Sequence, residues 1–151
     1  MYRKILVPLD GSKLAECALD HVKKLAKEGT VGEVTLLNVV NLHIPGRGEY
    51  PGFADMQTIR EYIFAEAKSY LKGVESRLKA EGIKVKPVSL ESSRPADVIS
   101  EYAQENGMEL IIIATHGYTR LRKLMLGSVA LGVLHDSRIP VLLIRPESCR
   151  M

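Results

Sequence analysis

Ala114-Thr115-His116-Gly117, followed after nine residues by Gly127-Ser128, is the stretch whose residue types and spacing suit chemistry, and that chemistry is anion binding. Ile111-Ile112-Ile113 before it reads as a buried strand, and Val129, Leu131, Val133 and Leu134 after it read as the apolar face of a helix. The glycines therefore fall where a strand stops and a helix starts. At such a junction a residue without a side chain lets main-chain N–H groups come close to an anion, and the helix N-terminus adds its partial positive charge. Phosphate fits that geometry. His116 lies inside the segment, but the spacing fixes no carboxylate or nucleophile beside it, so it is expected to be a partly exposed loop residue and not a catalyst. Arg120, Arg122 and Lys123 are secondary candidates for phosphate contact, because charges in such loops are usually solvated.

The elements that must position this segment can be read along the chain. Lys4 to Leu9 is a strand run ending at Pro8-Leu9-Asp10-Gly11-Ser12, where Asp10 or Ser12 could cap a helix. Ala15, Ala18, Leu19, Val22, Leu25 and Ala26 then recur at helical spacing until Gly29. Glu33 to Val40 is a second strand, apolar on both faces as in a parallel sheet. Asn41 to Asp55 is rich in Gly and Pro and long enough for a surface loop over a site. A long helix follows, Met56 to Ala80, with Ile59, Ile63, Ala67, Tyr70, Leu71, Val74 and Leu78 on one stripe; Tyr62 and Tyr70 are expected in the core or at an interface. Val85 to Leu90 is a third strand, and Pro87 within it points to a sheet edge. Pro95 opens a helix, Leu110 to Thr115 is the fourth strand, Gly127 to Asp136 a helix, and Pro140 to Ile144 the fifth strand.

Strands alternating with helices at this spacing predict an α/β fold, a single-domain, open five-stranded parallel sheet with helices on both faces. In such sheets ligands bind beyond the carboxyl ends of the strands, where strand order reverses. Asp10, Val39 and Ala114 to Gly117 all occupy such ends, so three distant segments converge on one crevice.

Composition narrows the function classes. One domain, residues 1–151, suits the length, and at this size a chain buries roughly 68–70% of its unfolded surface without needing staples. No stretch approaches the roughly 20 apolar residues that span a bilayer, and Arg3 and Lys4 lead into a strand and not a signal peptide. A cytoplasmic protein without a membrane role is expected. The 21 basic residues are interleaved with 18 acidic ones, which leaves no basic stripe for nucleic acid. Cys17 and Cys149 lack CxxC spacing or a histidine cluster; Cys17 reads as a small helix residue and Cys149 as a tail residue.

Three common phosphate motifs lack their residues here. Asp10-Gly11-Ser12 stands where a dinucleotide site would carry GxGxxG; there is no GxxxxGK[ST]; and Glu91-Ser92-Ser93 stands where a receiver domain needs its phosphate-accepting Asp. The pattern present resembles that of the nucleotide-binding branch of the universal stress protein family: Gly, two residues, Gly, nine residues, then Gly with Ser or Thr. It is met by Ala114, Gly117 and Gly127-Ser128. Ile5-Leu6-Val7-Pro8-Leu9-Asp10-Gly11-Ser12 and Ile139-Pro140-Val141-Leu142-Leu143-Ile144 also resemble that family, and the likeness covers nearly the whole chain. Ala114 departs from it by one methyl group, tolerable at a residue of negative φ. Arg94, before Pro95, has no assigned role.

The resemblance implies a Rossmann-like fold of the adenine nucleotide alpha hydrolase kind, ATP as ligand with magnesium, and a nucleotide-dependent switch in the stress response. It implies that Asp10 and the backbone at Val39 contact the adenosine part, that Ile113 and Ala114 flank the ribose, and that Gly117, Gly127, Ser128 and Val129 hold the phosphates. Pro8, Leu9 and Ala130 complete the expected lining. No dedicated catalytic base stands out, so binding is better supported than turnover; slow ATP hydrolysis, or a dimeric interaction module without nucleotide, remain the alternatives. A homodimer through the strand at 139–145 is also implied, with a protein partner unidentified.

Overall fold

The computed structural model describes residues 1–41, 55–116 and 127–145. Strand β1 (Tyr2–Pro8) leads to helix α1 (Cys17–Lys27), then β2 (Val31–Val40), α2 (Met56–Ala80), β3 (Lys84–Glu91), α3 (Pro95–Glu105), β4 (Leu110–Ala114), α4 (Ser128–Asp136) and β5 (Val141–Ile144). The strands form one parallel sheet in the order β3-β2-β1-β4-β5. From β1 the chain winds outward through β2 to β3, then returns to pair β4 against the other side of β1, with Leu6 opposite Ile111. Strand order thus reverses between β1 and β4, and the crevice of an open α/β sheet lies at their carboxyl ends.

Side chains alternate across the sheet with the two-residue period of a strand. Ile5, Val7, Val34, Leu36, Leu110 and Ile112 face one core, packed against Cys17, Ala18, Leu19 and Val22 of α1 and Leu71, Val74 and Leu78 of α2. Leu6, Leu37, Ile111 and Ile113 face the other, against Ile99 and Ala103 of α3 and Ala130 and Val133 of α4. Both faces of the central strands are therefore covered, as their uninterrupted apolar runs predicted. Pro87 sits in the edge strand β3, where a missing N–H is tolerated.

Element kinds and order match the sequence-based expectation, while several ends differ. β1 starts at Tyr2, whose N–H donates to the Thr30 carbonyl at 2.8 Å. Regular α1 starts only at Cys17, because the Leu14, Ala15 and Glu16 carbonyls first take bonds from the third residue onward, as in a tight turn. Its N-cap is Glu16, with no side-chain bond, so neither Asp10 nor Ser12 caps the helix itself. Of the long segment between β2 and α2, only Asn41 and Asp55 belong to the described residues. The Asp55 carboxylate caps α2 by accepting from Thr58 N at 2.7 Å, and that bond holds its carboxyl below the usual carboxylate range.

Tyr70 packs on the core and donates from its hydroxyl to Glu16 Oε2 at 3.0 Å, while Arg77 Nη2 donates to Glu16 Oε1 at 2.7 Å. Burial, and then the Glu16 charge, push the Tyr70 phenol above its ordinary value. The start of α1 is thereby tied to the second half of α2. Tyr62 falls beside the Ile59–Ile63–Ala67 stripe and is exposed, so of its two expected places the core is ruled out.

Gly32 and Gly132 each sit where two elements approach closely. A Cβ on Gly32 would clash with the Arg3 carbonyl oxygen on β1, and one on Gly132 of α4 would lie 2.6 Å from the Ala96 Cβ of α3. Gly73, inside α2, would meet nothing within 4 Å. Gly32→Ala is therefore expected to destabilise the protein by about 1–3 kcal/mol through overpacking. Gly73→Ala is expected to stabilise it by roughly 0.5–1 kcal/mol through helix propensity. Urea unfolding of both variants checks the pair, and shifts of the same sign would contradict it.

Candidate functional site

The carboxyl ends of β1, β2 and β4 and the first turn of α4 enclose a cavity of about 260 Å³. Pro8, Leu9, Asp10, Val39, Ile113, Ala114, Gly127, Ser128, Val129 and Ala130 all line it, together with Ala15, Leu37, Ile99 and His116. Gly117, Arg120, Arg122 and Lys123 lie outside the described residues. The volume is close to the lower end of ligand pockets, and the mixture of a broad apolar wall with a few polar groups is typical of them. Leu37, Val39, Ile99, Ile113 and Ala130 make the apolar wall, suited to a flat ring system.

The Leu9-Asp10 corner is fixed from two sides. Leu9 N donates to the Leu37 carbonyl at 2.9 Å, and the buried Asn38 side chain donates from Nδ2 to the Leu9 carbonyl at 2.7 Å. Asn38 was missed in the sequence, although a lone amide within the apolar run Val34–Val40 was the available signal. Asp10 Oδ1 accepts from Ser12 N at 2.9 Å and from Ser12 Oγ at 2.6 Å, across Gly11 at φ 90°. Ser12 Oγ accepts in turn from Ala15 N at 3.1 Å. The carboxylate thus shapes the turn that carries it to the cavity rim.

At the opposite wall, α4 begins without a side-chain cap. Its N-cap is Gly127, and the first intrahelical bond runs from Leu131 N to the Gly127 carbonyl at 2.9 Å. The N–H groups of Ser128, Val129 and Ala130 precede that bond and have no acceptor within the helix. Gly127's own N–H is already committed, donating to the Thr115 carbonyl at 2.7 Å. A Cβ at Gly127 would come within 2.9 Å of that same carbonyl oxygen, so glycine is required here for the helix to approach the strand end. The sequence offers anion access as the reason for a glycine here, whereas the packing reason depends on a distance that residue type does not encode. No described non-glycine residue has positive φ, so Ala114, buried in β4, carries its methyl group without backbone strain.

Thr115 is the joint between these parts. Its N–H donates to the Ile144 carbonyl at 2.9 Å, extending the β4–β5 ladder, its carbonyl receives Gly127, and its Oγ1 lies 3.0 Å from His116 Nδ1. His116 is half-buried and lines the cavity. Arg94 stands away from it: Nε binds Asp97 Oδ2 at 2.7 Å across the first turn of α3. Among the described residues no group of three His, Cys, Asp or Glu side chains could hold a metal ion. No helix among them is long and apolar enough to cross a membrane.

A doubly wound parallel sheet with a crevice at its reversal point and an uncapped helix above it defines a Rossmann-like α/β protein. The universal stress protein family model matches residues 1–145, and the chain belongs to that family. The curated relative universal stress protein MJ0577 of Methanocaldococcus jannaschii is 34% identical over 160 residues, which cover 98% of each chain. The solved structure of MJ0577 aligns with a TM-score of 0.81 at 33% identity over 96% of both chains. A universal stress protein solved in complex with cAMP aligns at TM-score 0.68 and 20% identity, covering 96% of this chain and 98% of that one. An Arabidopsis thaliana family member solved with AMP bound aligns at TM-score 0.67 and 17% identity, covering 94% and 90%. At those identities the last two bear on the fold alone.

The close contact at Gly127 gives a measurable consequence. Gly127→Ala is expected to lower stability by about 1–3 kcal/mol with no ligand present, because the new Cβ must push α4 off the Thr115 carbonyl. Thermal melting of the ligand-free variant checks this; an unchanged midpoint would mean that the junction relaxes freely.

Proposed function

We propose that the protein binds an adenine nucleotide, ATP foremost, in the cavity between β1 and β4, and acts as a nucleotide-dependent switch in the stress response. The observation that carries this reading is the uncapped first turn of α4: the Ser128, Val129 and Ala130 N–H groups end at a cavity whose other wall is apolar. A phosphate would accept from those donors, the base would lie along Leu37, Val39 and Ile113, and Asp10 would meet the ribose hydroxyls from the rim. Two proteins of the same fold, one solved in complex with cAMP and one with AMP bound, carry ligands of that class. Magnesium, where it takes part, would be held by phosphate oxygens with at most the Asp10 carboxylate added. Asp10 and His116 are the titratable side chains among the described lining residues, and Asp10 Oδ1 is engaged by Ser12, which favours binding over turnover.

Melting with excess ligand tests the reading. ATP at 100 times its dissociation constant adds about 2.7 kcal/mol, which in a domain of this size is a rise of roughly 5–10 °C. No shift with ATP, AMP or cAMP would overturn it. Mass spectrometry of small molecules carried through purification names the ligand without a prior choice.

The assembly belongs to the same proposal. β5 is an edge of the sheet, its apolar residues Val141, Leu142 and Leu143 stay partly exposed, and Leu131 and Leu134 on α4 are exposed large apolar residues. An open apolar edge is a template for pairing with a second copy, so a homodimer through residues 139–145 is proposed. Sedimentation of Leu142→Lys beside the parent is expected to turn a dimer into a monomer. A parent that is monomeric at micromolar concentration would sink it.

A further inference from the structure

His116 is the group in the cavity that the fold leaves unfinished. Its Nε2 is buried and has no hydrogen-bond partner among the described residues, although the ring lines the cavity. Buried polar atoms are satisfied with few exceptions, and each exception calls for a reason. The other ring nitrogen is occupied, since Nδ1 lies 3.0 Å from the Thr115 hydroxyl. Thr115 is itself buried, and its hydroxyl can donate to Nδ1 or accept from it, according to the tautomer of the ring. When the hydroxyl donates there, Nδ1 supplies a lone pair and the neutral imidazole carries its proton on Nε2. The unfinished atom is then a donor that lacks an acceptor.

Its surroundings say what kind of acceptor. The His116 Cα is 3.6 Å from where a Gly127 Cβ would stand, so His116 adjoins the start of α4, whose Ser128, Val129 and Ala130 N–H groups have no acceptor within the helix and line the same cavity. Donors lining one cavity, with the field of a helix N-terminus behind them, select an anionic oxygen over a hydroxyl. We infer that His116 is a phosphate-reading residue: its Nε2–H donates to a phosphate oxygen of the bound ligand, with the Thr115 hydroxyl holding the ring in the donating tautomer. This rests on the nucleotide reading above and adds a side-chain determinant to a site otherwise built of main-chain donors. It gives the protein a means to separate phosphorylated ligands from the parent nucleoside.

The test compares AMP with adenosine by titration calorimetry, using competition where binding is weak. His116→Ala is expected to weaken AMP by about ten-fold to a hundred-fold, the range for a hydrogen bond to a charged group, while adenosine affinity is unchanged. His116→Gln, which places an amide donor near the Nε2 position, is expected to recover part of the loss. Unchanged adenosine binding also shows that the variant is folded. In the ligand-free protein, ¹⁵N shifts are expected to show the ring proton on Nε2. Equal losses for AMP and adenosine would make His116 a shape-filling residue, and no loss for AMP, or a proton on Nδ1, would equally overturn the inference. A parent protein that binds neither compound sinks the nucleotide reading first, and this one with it.

Discussion

One hydrogen bond, from the Gly127 N–H to the Thr115 carbonyl at 2.7 Å, sets the distance between the end of β4 and the start of α4. Everything at the cavity depends on that distance. The bond is possible because residue 127 has no side chain, and it leaves the next three amides ahead of any intrahelical acceptor. Thr115 is held on its other side by the Ile144 carbonyl, so the register of β4 with β5 also fixes where α4 begins. The sheet therefore aims the helix, and the helix aims its amides.

Opposite that wall, rigidity comes from different chemistry. The Leu9 corner is held by a main-chain bond from β2 and by the Asn38 amide, and the turn beyond it is closed by Asp10 and Ser12. Glu16 then links α1 to Tyr70 and Arg77 of α2. A carboxylate at the rim is thus backed by a chain of bonded groups reaching α2. The cavity is bounded by two walls that are each held by hydrogen bonds within the chain, an arrangement of the kind that limits the reorganisation a binding event requires.

The architecture was legible because its signals repeat. Ile5-Leu6-Val7, Val34 to Val40 and Ile111-Ile112-Ile113 are each apolar on both faces, and between them apolar residues recur at helical spacing, so element kinds, order and the parallel sheet follow from patterning. The strand order, with its reversal between β1 and β4, was not legible, because doubly wound sheets can reverse at different strands. The site was legible to the extent that it sits at strand ends, which is why Asp10, Val39, Ala114 and Ser128 meet at one cavity. Contacts set by one atom were not legible. Asn38 reaching Leu9, Gly127 seated on a carbonyl and His116 with one nitrogen occupied depend on distances that residue type does not encode. Helix boundaries failed for a related reason: Asp10 and Ser12 are good cap residues, yet the turn they close delays regular α1 to Cys17.

The Gly132–Ala96 contact bears on how such a cavity changes its content. α3 and α4 touch there with no room for another methyl group, and the same two helices contribute Ile99 and Ala130 to the lining. The closeness of the two helices is consequently limited at a contact outside the lining, in the manner of a shim between two plates. Enlarging residue 132 or 96 would part the plates and enlarge the chamber without altering any residue that faces its occupant, a route by which related chains could diverge in ligand size while keeping an unchanged binding surface.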